Sequence, residues 1–296
     1  MRILIGWVSL VLVLLTGCED REITGWELEP VTSVKGFKTP ECALVNPADG
    51  TVYVSNIFAV TRTTIGALDG NGFISQLEPG GKIRERPYLK GTQDLPVHGP
   101  SGMCLFNGYL HFNDRNGHKR RALQPDAKTE VVEIEGVEGL NDAAAGADCV
   151  YTTSTKQGVI YRIDATGKAS VFQKLPGVNG IKSWRGKLFA VTTAKDKSDL
   201  YELDPKGVKP PKPFGLAPKF AGIDGIEVLP DGTFLITDCH GHKVYTVAPD
   251  RKTVKLVVEG LEYPADLGID FARNLVYIPQ FFRGTVEVYR LKPQYE

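Results

Sequence analysis

The sequence has no net charge, since 35 basic and 35 acidic residues cancel. No basic stripe stands out, so nothing in the chain provides for nucleic acid. No stretch carries the apolar period of an amphipathic helix, which turns the fold class toward all-β. There is no G-x-S-x-G elbow and no Gly-rich loop followed by Lys and Ser or Thr. Serine-nucleophile and phosphate-loop chemistry are therefore set aside. Cys42, Cys104, Cys149 and Cys239 lack the C-x-x-C spacing of a zinc site. They read as small buried hydrophobes or as disulfide partners, with three pairings open. What the chain has in quantity is turn chemistry: 32 glycines and 19 prolines, spread along its length and not gathered in one linker.

The first eighteen residues stand apart. Arg2 supplies a positive start, and Ile3 to Leu15 then runs almost wholly apolar. That length suits a signal-peptide core and is short for a membrane span, although an uncleaved anchor is the alternative. The run ends in Leu15-Thr16-Gly17-Cys18, which resembles the bacterial lipobox, where small residues precede a cysteine that is lipidated. Residues 1–17 are thus expected to be a lipoprotein signal peptide, and 18–30 a tether after lipidated Cys18. Residues 31–296 are the folded unit. This places the protein in the bacterial cell envelope, exported and held to the membrane through the lipid alone.

Beyond the tether the chain repeats itself. NGIKSWRGKLFAVT from Asn179, DGIEVLPDGTFLIT from Asp224 and DLGIDFARNLVYIP from Asp266 align without a gap. Units starting at Glu41, Ser101 and Asp142 match with small changes in turn length. A period of about 40 residues with several short strands in each is the signature of a propeller. The chain is therefore expected to fold as a six-bladed β-propeller of four-stranded antiparallel blades. The sixth unit runs out after its third strand, while Trp26 to Phe37 belongs to no unit. That N-terminal segment is expected to close the last blade as its outer strand and so remove an open edge. The first interval is longer than the rest because of an insertion, Ile57 to Gly72, which is either ordinary surface or a loop over one face.

Inner strands of a propeller run side by side about a channel, so equivalent positions at their starts converge on one mouth. The alignment puts Glu41, Ser101, Asp142 (after Asn141), Asn179, Asp224 and Asp266 there. All are polar and four are acidic. Crowded acids repel unless a proton or cation neutralises them, and hard cations take oxygen ligands of this kind. The pattern predicts a divalent metal at the channel mouth. The plainer alternative is that Ser101-Gly102, Asn179-Gly180 and Asp224-Gly225 simply make turns.

Pro40-Glu41, Asn141-Asp142, Val178-Asn179-Gly180-Ile181 and Asp224-Gly225-Ile226, in that order, resemble the inner-strand motifs of the gluconolactonase and regucalcin (senescence marker protein) family. The resemblance spans the whole propeller. It implies one divalent metal held by Glu41, Asn179 and Asp224, with calcium foremost and zinc, magnesium or manganese as alternatives. It further implies that Asn141 contacts substrate and that Asp224 serves as general base. Ser101 and Asp266, from the same ring, and His240, from the turn Asp238-Cys239-His240-Gly241-His242, are assigned to the substrate side. The chain departs from the family at Gly139, where regucalcin-like members carry a substrate-holding arginine, and at Glu41-Cys42-Ala43, where E-G-P is usual. Arg115, in the turn Asn113-Asp114-Arg115, is either a replacement for that arginine or part of a solvated turn. Phe281-Phe282 is either an aromatic wall over the pocket or packing between blades.

The function these residues imply is metal-dependent hydrolysis of a sugar lactone or similar small ester by a monomer, with a small molecule as substrate. Two other readings stay open: a non-catalytic propeller that binds a protein or glycan, and isomerase or lyase chemistry at the same metal.

Overall fold

The computed structural model describes residues 22–59, 61–194 and 196–296, with the side chain of Arg62 excepted. The expected signal peptide, Cys18 and the start of the expected tether lie outside the described residues. Short strands with alternating apolar side chains cannot bury themselves singly, so they gather into sheets that stack face to face. Here they form six four-stranded antiparallel sheets, and one short 3-10 turn, Arg62–Thr64, interrupts them. In sequence order the inner strands are Pro40–Val45, Met103–Phe106, Leu140–Ala145, Val178–Trp184, Ile223–Val228 and Gly268–Asp270. The third strands Phe73–Leu77 and Lys243–Val247 fall on the residues that alternation picks out.

The core is not one mass. It consists of six apolar clusters, each between two neighbouring blades. Cys42, Ile74, Met103 and Phe112 lock blade one to blade two, and Ile160, Val178, Ile181 and Leu188 lock three to four. The ring closes through Val52, Val54, Tyr277 and Val288, between blades six and one. All four remaining cysteines are unbridged; Cys42, Cys104 and Cys149 are buried and Cys239 partly so. Burial as small hydrophobes is the alternative the structure selects.

The closing strand comes from the N-terminal side, as the repeat count requires. Ile23–Lys35 pairs antiparallel with Thr285–Tyr295 and completes blade six. Trp26 is buried there, and its indole N–H donates to Asp231 at 2.9 Å. The strand begins at Ile23, so Ile23–Pro30, expected as tether, are already part of the propeller.

Candidate functional site

Four of the blades bring their inner strand to the channel through one device. In blade one, Pro40 pairs with Asn56 and Ala43 with Val54, so Glu41 and Cys42 together stand against Ser55 alone. Blades three, four and five repeat this bulge at Asn141-Asp142, Asn179-Gly180 and Asp224-Gly225. In three blades a hydroxyl on the second strand takes the backbone N–H that the bulge frees. Cys42 N donates to Ser55 Oγ (2.9 Å), Asp142 N to Thr153 Oγ1 (3.0 Å) and Gly225 N to Thr237 Oγ1 (2.8 Å). Such bulges re-aim side chains beside functional sites.

The bulge sets the true equivalences, and they correct the ring by one residue in two blades. The mouth position is held by Glu41, Ser101, Asn141, Asn179, Asp224 and Ala265. The position one residue deeper is held by Cys42, Gly102, Asp142, Gly180, Gly225 and Asp266. Blade six is placed by Ala265 N donating to Pro279 O and by the bridge of Cys42 with Asp266. The mouth thus carries two acids and not four. Asp142 and Asp266 belong to the deeper ring, and both line a 270 Å³ cavity at the other end of the channel.

The glycines of the deeper ring are not turn makers. A Cβ on Gly102 would stand 2.3 Å from Asp142 Cα, and one on Gly180 would stand 2.3 Å from the Asp224 carbonyl oxygen. Neighbouring inner strands approach too closely there for any side chain pointing that way.

A cavity of 300 Å³ opens at the mouth, with Glu41, Asn141 and Asp224 in its lining. Asn179 sits beside them, 6% exposed, and its amide hydrogen-bonds to Asp224. His240 lines the same cavity. His242 instead turns its Nδ1 to the Leu261 carbonyl (3.0 Å), so the His-x-His pair shares no site. Tyr263, Phe281 and Phe282 form a wall of edge-to-face rings, 4.9 and 5.3 Å between centroids, which is the aromatic wall of the two alternatives. Ile57 and Ile65, at the start and middle of the long insertion, complete the lining and make it a loop over this face.

Two expected substrate contacts do not reach this cavity. Ser101 is buried, and its hydroxyl donates to the Asn141 carbonyl (2.8 Å), tying blade two to blade three. Asp266 faces the opposite cavity. Arg115 makes the reverse correction: Asn113 and Asp114 before it are buried, and its own part-buried side chain lines the mouth. Sequence spacing gave no means to see this, because what holds the turn is Asp114, buried against buried Lys119 at 2.5 Å.

Burial dominates the electrostatics. It pushes the Glu41 carboxyl well up; the charges of Asp224 and Asp142 add to this, and that of Arg115 opposes it. Asp224 is raised to about 6 by burial, against hydrogen bonds from Cys239 and Asn179. Asp142 is raised to about 7 by burial, although the backbone N–H groups of Ile181 (2.7 Å) and Ala143 (2.6 Å) favour its charged form. Asp266 is pushed well up by burial and then by Asp142.

Among the described residues no three His, Cys, Asp or Glu side chains converge as a metal cluster. The donor set at the mouth is two carboxylates and an amide. Glu41 Oε2 and Asn179 Oδ1 are buried there without a hydrogen-bond partner. Buried oxygens left unmet are costly, and two of them beside Asp224 fit a hard cation that takes oxygen ligands.

No family model and no curated protein matches this chain. Solved structures do. One provisionally described as a gluconolactonase is 16% identical with a TM-score of 0.66, covering 93% of this chain and 96% of that one. Luciferin-regenerating enzyme is 13% identical with a TM-score of 0.63, over 90% and 95%. Virginiamycin B lyase from Staphylococcus aureus is 15% identical with a TM-score of 0.60, over 90% and 99%. At such identities the likeness establishes the propeller fold alone.

Proposed function

We propose that this chain is a metal-dependent hydrolase that opens a sugar lactone or related small ester in the bacterial cell envelope, anchored through a lipid on Cys18. One observation carries the reading: Glu41, Asn179 and Asp224 meet at one buried mouth, with two of their oxygens unmet beside a cavity of 300 Å³. These three residues would hold the metal, calcium first among the candidates. When bound, a divalent cation supplies Lewis-acid polarisation of the substrate carbonyl.

The chain's own residues supply the rest. Asp224, a carboxylate that a bound cation would keep ionised at neutral pH, would take the proton from the attacking water as general base. Asn141 offers its amide to the substrate from blade three. His240 presents an imidazole from the turn of blade five. Tyr263, Phe281 and Phe282 cover the apolar face of the ligand and exclude water, which strengthens each polar contact inside.

The first test is cation affinity by calorimetry together with turnover of a lactone panel. One equivalent of metal in the unaltered protein, lost in Glu41→Gln, Asn179→Ala and Asp224→Asn along with turnover, supports the reading. Full activity in all three variants sinks it, and no binding of calcium, magnesium, manganese or zinc points to a binding propeller instead. Since virginiamycin B lyase shares the fold, the products must also be typed. Oxygen from labelled water enters the product in hydrolysis and not in elimination. The anchor is tested separately: labelled fatty acid should attach to the full chain and not to Cys18→Ser.

A further inference from the structure

The mouth cavity holds a positive charge, Arg115, that acts on Glu41 through space but forms no ion pair with it. Arg115 follows the second strand of blade two, Tyr109–Asp114, and lines the cavity. Its Nε–H is buried and meets no acceptor. It joins none of the ion pairs among the described residues. A buried donor on a charged group is expensive to leave unmet, so an acceptor is missing from this wall.

The position is built and not incidental. The Asp114 carboxylate accepts the backbone N–H groups of His98 (3.1 Å), Gly99 (2.6 Å) and Arg115 itself (2.8 Å). It is pinned in turn by Lys119, whose ammonium also donates to the Pro96 carbonyl (2.7 Å) and to Asn116 (2.8 Å). A Cβ on Gly99 would stand 3.0 Å from Arg115 Cγ and Nε, so the missing side chain there leaves a lane for the arginine.

In a ring of six, blade two stands across from blade five. Arg115 and Asp224 therefore occupy opposite walls, with the aromatic wall of blade six beside the gap. A ligand that satisfies all three has an anionic oxygen group at one end and a flat apolar body. The planar guanidinium fork matches a carboxylate in two parallel hydrogen bonds. We infer that the substrate carries a carboxylate remote from its scissile carbonyl, joined through a flat apolar body, and that Arg115 binds that carboxylate. The site is then specific for acidic esters or lactones over neutral sugars. This rests on the hydrolase reading for the scissile bond, but not for the anion.

Benzoate and its neutral isostere benzamide are the probes, titrated by calorimetry into the full chain with and without calcium. The unaltered protein should favour benzoate by about tenfold or more. Arg115→Gln should erase the ratio while its circular dichroism spectrum stays native, and Arg115→Lys, which keeps the charge but not the fork, should recover only part of it. A general structural role for Arg115 would weaken both probes alike and leave the ratio unchanged. No preference in the unaltered protein, or a preference that survives Arg115→Gln, overturns the proposal. If benzoate is preferred but no ester or lactone is opened with any cation, the arginine site stands and the hydrolase reading falls. Turnover without benzoate preference does the reverse.

Discussion

Two rings of six lie one residue apart on the same inner strands, and they are put to different use. The outer ring, at the mouth, leaves Glu41 Oε2 and Asn179 Oδ1 without partners. The deeper ring is spoken for. Both Asp142 oxygens accept backbone N–H groups, the Cys42 thiol hydrogen-bonds to Asp266, and Gly102, Gly180 and Gly225 fill gaps that admit no side chain. A polar residue turned toward a channel is therefore not by itself a site. The distinction lies in whether its lone pairs are already engaged, because an engaged oxygen has little left to offer a ligand.

That contrast can be broken by experiment. The largest effect belongs to Asp224→Asn, which should lower hydrolysis by about 10²–10⁴-fold and remove most divalent affinity. Asp142→Asn should spare cation binding, and calorimetry showing equal losses in the two variants would erase the division between rings. Next comes Gly180→Ala. Its new methyl would press on the Asp224 carbonyl oxygen, at a cost of about 1–3 kcal/mol read from denaturant midpoints. An unchanged midpoint would mean that the inner strands part easily.

The pH dependence of stability follows from the raised acids. Asp142 at about 7 and Asp224 at about 6 hold protons more tightly in the folded chain than in the unfolded one. Their contribution is fully present below about pH 4, where the unfolded carboxyls also protonate, and is lost as pH climbs through 6 and 7. Without cation, the denaturant midpoint should fall over that window. Calcium should flatten the fall by stabilising the ionised Asp224, while Asp142→Asn removes its upper part. The smallest change is Ser101→Ala, which loses one buried hydrogen bond to Asn141, about 0.5–1.5 kcal/mol, and should leave turnover intact. A fall in turnover matching that of Asp224→Asn would put Ser101 back in the site.

The blades were legible because apolar alternation and turn residues recur at one period, and the closing strand because the repeat count left one segment over. The ring was legible only in part. Aligning on acids selected Asp142 and Asp266, whereas the backbone selects Asn141 and Ala265. A bulge is where period-two reasoning must fail, since it sets two residues against one and cancels the alternation. The role of Arg115 was hidden for another reason. Asn113-Asp114-Arg115 reads as a polar turn in sequence, and only the fold shows Asp114 and Lys119 buried against each other beneath it. The meaning of the inner-strand glycines likewise depends on a neighbour about forty residues away, which no local pattern reports.

The last blade has a consequence for how the molecule comes into being. Glu27 and Gln294 touch although they lie 267 positions apart, so blade six cannot close until all the chain between them has been made. Until then Trp26 has no pocket and blade six shows a bare edge, a pairing hazard. Contacts spanning nearly the whole chain close late and slowly. The pairing of Ile23–Lys35 with Thr285–Tyr295 is thus the clasp on which the closed ring waits, whatever the order in which the other five blades form.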